Sequence, residues 1–313
     1  MRAFAIDQLR EAGSLHELAM PEPAPDHVVV RVRAAGVNPA DWKLRDGLFG
    51  MPKRAFPIVL GGDFAGVVER VGGEMRDFAP GDRIFGVAPS GSYAEYVSVE
   101  SSGVLAKIPR GISDAHAAAL PTAGLTALAA VEWLELRAGE SLLVVGATGG
   151  VGGYAVQIAK ARGVHVIAVA RSSNELAARE LGAAEIVAYD LVDVVAAVRA
   201  KHPGGVDAVV DVVSDDGGLK RMAAVLRCPG GRLASTIFAA DETWFSEHGL
   251  HAANIATQYT PQWSRGGLEE LARLTERGAL RVHVAVEVPL ADAALALERS
   301  KTGRVTGKIV LTV

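Results

Sequence analysis

Cysteine is nearly absent from this chain of 313 residues, which contains one, Cys228. A single cysteine cannot form an intramolecular disulfide or a zinc site built from several cysteines. It also excludes a small secreted scaffold that is held together by disulfides. We therefore expect a reducing compartment, and the cytoplasm is the predicted location.

Long uncharged apolar runs are also missing. Asp7 and Arg10 stand where a signal peptide would have its apolar region, and Pro121 interrupts the alanine-rich stretch 115–131. We therefore expect no export signal and no membrane span. Lysine and arginine total 32 against 36 aspartates and glutamates, for a net charge of −4, so neither nucleic acid nor an anionic membrane is an expected partner.

The residues that are present predict a globular protein with two different patterns of secondary structure along the chain. Half of them are hydrophobic and 22% are charged, and the length suggests about two domains. Up to about residue 110, short β-branched runs alternate with turn residues, as in HVVVRVRAAGV (27–37), FAGVVERVG (64–72) and DRIFGV (82–87). Runs spaced this closely are typical of an antiparallel barrel or sandwich.

From about residue 125, strands and helices alternate. Apolar strands are predicted at 141–147, 164–170, 185–189, 206–213 and 230–236, with helices at 154–163 and 174–182. Continuous apolar strands separated by helices indicate a parallel sheet that is covered on both faces. The tail, with helices near 267–278 and 291–300 and strands at 281–288 and 307–313, is expected to return to the first domain.

A glycine-rich turn, GATGGVGG (146–153), follows the first of these apolar strands and opens a helix. Glycines allow a tight turn and let the backbone approach a pyrophosphate, whose charge is met by free N–H groups at the helix N-terminus. The turn therefore predicts a dinucleotide site, with the amides of Gly150 and Val151 as the main donors. The alternative is a turn that only packs helix on strand. The predicted cofactor-binding residues of this turn are Gly146, Thr148, Gly149, Gly150 and Val151.

The end of the second parallel strand predicts which dinucleotide is bound. An acidic residue there would bond the ribose hydroxyl of NAD and repel a 2′-phosphate, but this chain has Arg171 followed by Ser172. A guanidinium with a neighbouring hydroxyl suits a phosphate dianion, so NADPH (NADP) is the predicted cofactor. The alternative is that Arg171 is a solvated surface charge.

Several segments together resemble one family. They are AAGVNPADWKLRDG (34–47), FPIVLGGDFAGVVERVG (56–72), PGDRIFG (80–86), LPTAGLTAL (120–128), the glycine turn and GKIVL (307–311). The chain resembles the medium-chain dehydrogenase/reductase superfamily in its zinc-free quinone oxidoreductase branch. The resemblance implies an α/β fold with a GroES-like β-rich catalytic domain, 1–122 completed by 265–313. A Rossmann domain with a doubly wound parallel sheet would span 123–264.

The resemblance also implies that the catalytic and the structural zinc ion of the family are both absent. Zinc-dependent members supply a Cys and a His from segments that here hold Asn38 and Gly62, and the family's structural zinc needs four cysteines. A metal ion bound elsewhere through histidine and carboxylate side chains is the alternative, but no such pair stands at ligand spacing in the sequence, so no metal-binding residue is predicted. His248 and His251 are three residues apart and are expected on an exposed turn.

The resemblance assigns site residues in both predicted domains. Asn38 matches a family residue that reaches the substrate and nicotinamide pocket, and Lys43 would stabilise developing negative charge; both are predicted catalytic residues. Their alternatives are an Asn-Pro turn residue and a surface lysine. Thr126 resembles a threonine at the nicotinamide end, or it bonds only its own helix.

Three further cofactor contacts follow from the resemblance: Val213 after its strand, Thr236 at the end of the next strand, and Lys308 at the mouth of the substrate cleft. For each of them, packing or surface exposure is the alternative. Trp42 stands where quinone reductases often carry Tyr, so the chemical identity of the acceptor stays undecided. The aromatic-rich segment 238–264 predicts a pocket wall or a subunit contact, and we expect a homodimer.

The predicted function is therefore zinc-independent, NADPH-dependent hydride transfer to a small-molecule acceptor, either a quinone or another activated carbonyl or alkene. An enone (2-alkenal) reductase shares every motif and differs only in the shape of its pocket. A protein of the same fold that binds NADPH without turnover is the other alternative, because a fold alone does not establish activity.

Overall fold

The computed structural model describes residues 1–50 and 54–313, which divide into two units. The first comprises Met1–Ala123, Ser264–Glu276 and Val282–Val313, and the second comprises Gly124–Trp263 and Arg277–Arg281. The sequence prediction places the domain limits at 122 and 264, and it does not foresee that the short segment Arg277–Arg281 joins the second unit.

The strands of the described residues are, in chain order, β1 Arg2–Ile6, β2 Ser14–Glu17, β3 His27–Val37, β4 Ile58–Val59, β5 Asp63–Val71, β6 Arg83–Val87, β7 Tyr96–Glu100, β8 Leu105–Lys107, β9 Ser141–Val145, β10 His165–Ala170, β11 Glu185–Ala188, β12 Ala208–Asp211, β13 Arg232–Ser235, β14 His251–Asn254, β15 Val284–Pro289 and β16 Lys308–Thr312. The α-helices are α1 Pro39–Arg45, α2 Asp114–Ala118, α3 Pro121–Trp133, α4 Gly150–Ala161, α5 Glu175–Leu181, α6 Val194–Lys201, α7 Asp216–Ala223, α8 Glu242–Glu247, α9 Arg265–Glu276 and α10 Ala293–Lys301.

The first unit is built around the long strand β3. One edge of β3 pairs with β5, and the other pairs with β7 near its start and with β16 near its end. All of these pairs are antiparallel, and the full sheet runs β15-β16-β3-β5-β6-β8 with β7 beside β3. The tail therefore completes this sheet, and a β-rich first domain is confirmed.

Apolar side chains fill two cores of the first unit. One gathers Val28, Val30 and Val32 of β3 with Phe64 and Ile84. The other combines the end of β3 with β1, β16 and the α10 region, and its members include Phe4, Ile6, Tyr93, Leu297 and Leu311. Because buried residues occupy both faces of β3, the strand reads as a continuous β-branched run rather than an alternating one.

The second unit contains a six-stranded sheet in the order β11-β10-β9-β12-β13-β14, and every neighbouring pair is parallel. The strand order reverses direction beside β9, and a reversal of this kind places ligands at the carboxyl ends of the central strands. The doubly wound α/β fold predicted from the sequence is confirmed. Within the described residues, no helix has the length and apolar character needed to cross a membrane.

Some local predictions differ from the structure. The helix predicted at 154–163 already begins at Gly150, because the glycine turn supplies its first residues. Most predicted strands are shorter by one to several residues, and β14 falls inside the aromatic-rich segment for which no strand is predicted. β14 has an alanine-rich, weakly patterned sequence, so only its pairing with β13 identifies it.

Candidate active site

The glycine turn has a geometry that only glycines permit. Gly146 has φ +82°, and an added Cβ there would lie 2.6 Å from Cγ2 of Val213. At Gly152 an added Cβ would lie 2.2 Å from the carbonyl oxygen of Gly146. The helix and the turn therefore approach more closely than any side chain would allow, and Val213 is brought against the turn.

The N-terminus of α4 presents the predicted phosphate donors. Gly149 is the N-cap and has no side chain to bond the first turn, so the amides of Gly150 and Val151 stand where a helix leaves its N–H groups without intrahelical partners. The helix dipole adds positive potential there. Because an added Cβ at Gly149 would have only one neighbour within 4 Å, at 3.5 Å, the turn leaves room for a pyrophosphate. The residues present fit a dinucleotide.

The second turn follows β10. Arg171 is exposed, and the nearby hydroxyl of Tyr189 raises the pKa of its guanidinium. The amide and hydroxyl of Ser172 donate to the two carboxylate oxygens of Asp190, at 2.8 and 2.7 Å. These bonds lower the pKa of Asp190. The Ser172 hydroxyl is thus already bonded to a carboxylate, which the sequence prediction of a phosphate donor does not foresee.

The glycine turn and the second turn also touch one another. Asn174, at the end of the second turn, donates from Nδ2 to Oγ1 of Thr148 at 3.3 Å. This bond fixes the position of Thr148 between the phosphate donors of α4 and the turn that carries Arg171. The structure therefore brings the predicted pyrophosphate and 2′-phosphate residues to one edge of the sheet.

Asp211 organises the neighbouring carboxyl end of β12. Its Oδ1 accepts from the amides of Val213 and Ser214 at 2.9 and 2.8 Å, and its backbone carbonyl accepts from the amide of Thr236 at 3.1 Å. Val213 is 62% exposed, which places its side chain on the surface of the unit beside the glycine turn. Val213 and Thr236 therefore lie at the same edge as the predicted phosphate residues.

Thr126 lies in α3 and is buried. Its Oγ1 accepts a hydrogen bond from Oγ1 of Thr257 at 3.0 Å. Thr126 therefore does not bond only its own helix, because it also has a side-chain partner 131 residues away.

A buried polar network surrounds Asn38 in the first unit. The Asn38 side chain donates from Nδ2 to Asp63 at 2.8 Å and accepts at Oδ1 from Nζ of Lys308 at 2.6 Å. Its amide donates to Oδ2 of Asp41 at 2.7 Å, and the Tyr93 hydroxyl donates to the same oxygen at 2.8 Å. Asn38 is therefore both the N-cap of α1 and the centre of a network drawn from α1, β5, β16 and the loop before β7.

Burial dominates the electrostatics of this network. It raises the pKa of Asp41 to about 7 and raises that of Asp63, although both carboxyls accept hydrogen bonds that act in the opposite direction. Burial also lowers the pKa of Lys308, against the pull of the two carboxylates, and raises that of Tyr93. The network therefore holds two carboxyls against one ammonium, an arrangement that favours one retained proton.

The resemblance implies that Lys308 lies at the mouth of the substrate cleft, and the structure shows its side chain buried in the first unit. It is 5% exposed, and Nζ also donates to the carbonyl of Val37 at 2.6 Å. Lys308 opens β16, which pairs with the end of β3, so the side chain is directed inward at the start of the strand. Strand pairing fixes the direction of a side chain, and a sequence motif alone does not report it.

Lys43 and Trp42 lie together on α1. Nζ of Lys43 is 5.8 Å from the centroid of the Trp42 ring, and Nζ of Lys301 is 5.5 Å from the same ring. Lys43 is partly exposed and is placed outside the network of Asn38.

The aromatic-rich segment 238–264 divides between core and surface. Phe245 is fully buried in the core of the second unit, and Trp244 packs against that core. Phe238 and Tyr259 are 59% and 85% exposed. His248 stacks on Trp244 with ring centroids 3.9 Å apart and, like His251, is exposed. The turn expected for the two histidines is not found at His251, which opens strand β14.

The sequence prediction does not name three members of the Asn38 network, which are Asp63, Thr122 and Tyr93. Asp63 accepts from both the amide and the hydroxyl of Thr122, at 3.1 and 2.5 Å, and Tyr93 is fully buried although it carries a hydroxyl. An aspartate at the start of an apolar strand, in GGDFAG, is the signal that points to such a residue.

Comparison with known proteins finds matching families for two parts of the chain. Residues 24–110 match the family model described as alcohol dehydrogenase GroES-like domain, and residues 181–311 match the one described as zinc-binding dehydrogenase. A chloroplast envelope quinone oxidoreductase homolog from Arabidopsis thaliana is 31% identical, over 96% of this chain and 94% of that protein. A quinone oxidoreductase from Pseudomonas aeruginosa is 34% identical, over 93% and 92%.

Among solved structures, the quinone oxidoreductase of Escherichia coli complexed with NADPH is similar with a TM-score of 0.90 and 26% identity, and the similarity covers 100% of both chains. Fold, site and relatives together define an oxidoreductase with a nucleotide-binding dehydrogenase fold. The chain belongs to the medium-chain dehydrogenase/reductase superfamily, among its quinone oxidoreductase homologues.

Proposed function

We propose that this protein transfers a hydride from NADPH to a quinone or a related activated carbonyl or alkene, without zinc. The observation that carries the choice of NADPH is Arg171, an exposed guanidinium directly after the second parallel strand, in a turn that Asn174 ties to the phosphate-binding turn. The names of the relatives support a quinone as the acceptor.

The second unit would hold the cofactor. The first-turn amides of α4 bind the pyrophosphate, the glycines exclude side chains from its path, and Arg171 pairs with the 2′-phosphate. When bound, the nicotinamide supplies the hydride. Asp211 accepts hydrogen bonds from the amides of Val213 and Ser214 and so holds the backbone in place where the cofactor would pass.

In the first unit, Asn38 is the residue proposed to meet negative charge that develops on the acceptor oxygen. Lys308 bonds its Oδ1, and this bond withdraws electron density from the amide and makes the Nδ2 hydrogens stronger donors. One of these hydrogens is bonded to Asp63, and the second is the one proposed for the acceptor. Lys43 adds a positive charge on the same helix.

The positions of the family's catalytic zinc ligands hold Asn38, whose amide is a poor zinc ligand, and Gly62, which has no side chain. This is the support for zinc independence.

We also propose a homodimer. Strand β14 ends the parallel sheet and pairs only with β13 among the described strands, so its outer edge is available to a second copy. A monomeric mass in solution scattering at micromolar protein would contradict the dimer.

The experiment is oxidation of NADPH and NADH by chelator-treated protein, followed at the nicotinamide absorbance, against a panel of quinones and enones. We expect acceptor-dependent loss of NADPH, and the panel ranks quinones against enones. Arg171→Ala is expected to raise the Michaelis constant for NADPH by about tenfold, with little change for NADH, because a charged hydrogen bond is lost. Arg179→Ala on α5 is the matched control.

Three results would contradict the proposal. An equal effect of Arg171→Ala on the Michaelis constants for NADPH and NADH would contradict the proposed preference for NADPH. Loss of activity on chelation in protein that stays folded, restored by zinc, would contradict zinc independence. Tight NADPH binding without reduction of any acceptor would favour a binding protein, and the roles of Asn38 and Lys43 would be withdrawn.

A further inference from the structure

Two histidines and a glutamate converge on one point of the second unit. Nε2 of His165 is 2.7 Å from Oε1 of Glu185, and Nε2 of His202 is 3.0 Å from the same oxygen. One potential ligand atom from each residue lies within 4.8 Å of the other two. The three residues are far apart in the sequence, which is why no pattern of ligand spacing reveals them.

The fold explains this convergence. His165 opens β10 and Glu185 opens β11, and the register pairs Glu185 with Ile167, so His165 and Glu185 share one face of the sheet. Helix α6 covers that face with Val198 and ends at His202, its C-cap residue. The amino ends of two strands and the carboxyl end of one helix therefore present the three side chains together.

We propose that His165, Glu185 and His202 bind a divalent first-row transition-metal ion such as Zn²⁺. Two imidazole nitrogens and one carboxylate oxygen are a ligand set that suits this class of metal, with the remaining coordination positions open to water. The side chains are 42%, 20% and 22% exposed, in the order of the sequence, so an ion can enter from solvent.

Lys201 should weaken the binding of a metal ion at this site. Its Nζ lies 3.3 Å from Oε2 of Glu185, so the carboxylate would bind the metal through Oε1 alone, beside a positive charge. Replacing this lysine by a neutral residue should therefore tighten metal binding. A purely hydrogen-bonded cluster has no reason to respond in that way.

This site would not take part in hydride transfer. It lies at the amino ends of the parallel strands, whereas the glycine turn and Arg171 follow their carboxyl ends, on the opposite edge of the sheet. A bound ion would link β10, β11 and α6. The site is therefore a structural one, and its occupancy should raise the midpoint of thermal unfolding.

The test is calorimetric titration of Zn²⁺ into the full, tag-free, chelator-treated protein, with Co²⁺ absorption as a second probe of coordination. We expect one ion per chain with micromolar or tighter affinity. His165→Gln or His202→Gln should weaken binding by at least about tenfold, because even loss of an outer-shell partner costs that much. Lys201→Gln should tighten it by about fivefold, because a like charge near the ion is removed.

His251→Gln is the matched control, because His251 is an exposed histidine that opens another strand, β14, at the same edge of the sheet. It should leave the affinity unchanged. Circular dichroism checks that each variant is folded. The proposal is overturned if the protein gives no Zn²⁺ binding up to about 100 μM, if the double variant His165→Gln/His202→Gln binds as the parent does, or if His251→Gln weakens binding equally.

Discussion

The buried carboxyl of Asp41 should make stability depend on pH in an unusual direction. Its pKa is raised from 3.8 to about 7 by burial. Between these two values the unfolded chain has released this proton and the folded chain retains it. The folded state therefore binds more protons, and its stability falls as the pH rises through this window. The contribution is complete below about pH 4 and is lost above about pH 7.

A shift of this size corresponds to about 4 kcal/mol between the two ends of the window. The neighbouring Lys308 and Asp63 titrate with Asp41, so we expect about 2–4 kcal/mol to be observed. In Asp41→Asn, the amide oxygen can replace Oδ2 as the acceptor for Asn38 and Tyr93, and no proton is exchanged. The variant should therefore gain stability relative to the parent as the pH rises.

The assay is urea unfolding of the full chain at several values from about pH 5 to about pH 8, with the parent and the variant measured side by side. Asp292→Asn, at an exposed position of the same unit, is the control and should run parallel to the parent. A difference between Asp41→Asn and the parent that stays constant over this range would refute the reasoning, because it would mean that Asp41 keeps its charge when buried.

Three other substitutions test separate parts of the structure. Gly152→Ala puts a Cβ 2.2 Å from the carbonyl oxygen of Gly146, so NADPH affinity measured by fluorescence titration should fall by about tenfold or more; unchanged affinity would show that the turn can open without cost. Lys308→Met leaves the Asp63 carboxylate buried without its cation and should cost about 3–5 kcal/mol of unfolding free energy. Adding Asp63→Asn should restore part of that loss, and a double variant no more stable than the single one would contradict the electrostatic attraction between Lys308 and Asp63. Asp190→Asn removes a negative charge beside the proposed 2′-phosphate site and should lower the Michaelis constant for NADPH about threefold without a matching change for NADH; an equal change for both would count against that site.

The sequence predicts the central strands well because their composition and their environment agree. β3, β10 and β11 are β-branched runs bounded by turn residues, and their predicted ends differ from the structure by at most one residue. β2 and β14 are missed because they are short and owe their existence to a paired neighbour. Pairing of this kind depends on the tertiary structure, and a local pattern does not report it.

The candidate site shows the same division between local and long-range information. The glycine turn is predicted correctly because its chemistry lies within eight consecutive residues, GATGGVGG. The network of Asn38 joins residues as distant in the chain as Asp63 and Lys308, and the bond between Ser172 and Asp190 spans 18 positions. A sequence motif names such residues one at a time, and only the fold shows which of them share a hydrogen bond.

The segment Arg277–Arg281 has a consequence for protein engineering. Gln157 of α4 accepts from the amide of Arg281 at 2.7 Å and donates to its carbonyl at 3.1 Å, so a strand-like pair of bonds ties this short segment into the second unit. A gene fragment that encodes only residues 124–263 would leave both groups of Gln157 without these partners. A chimera that exchanges nucleotide specificity between relatives should therefore carry two separate inserts, the long one and this segment of five residues.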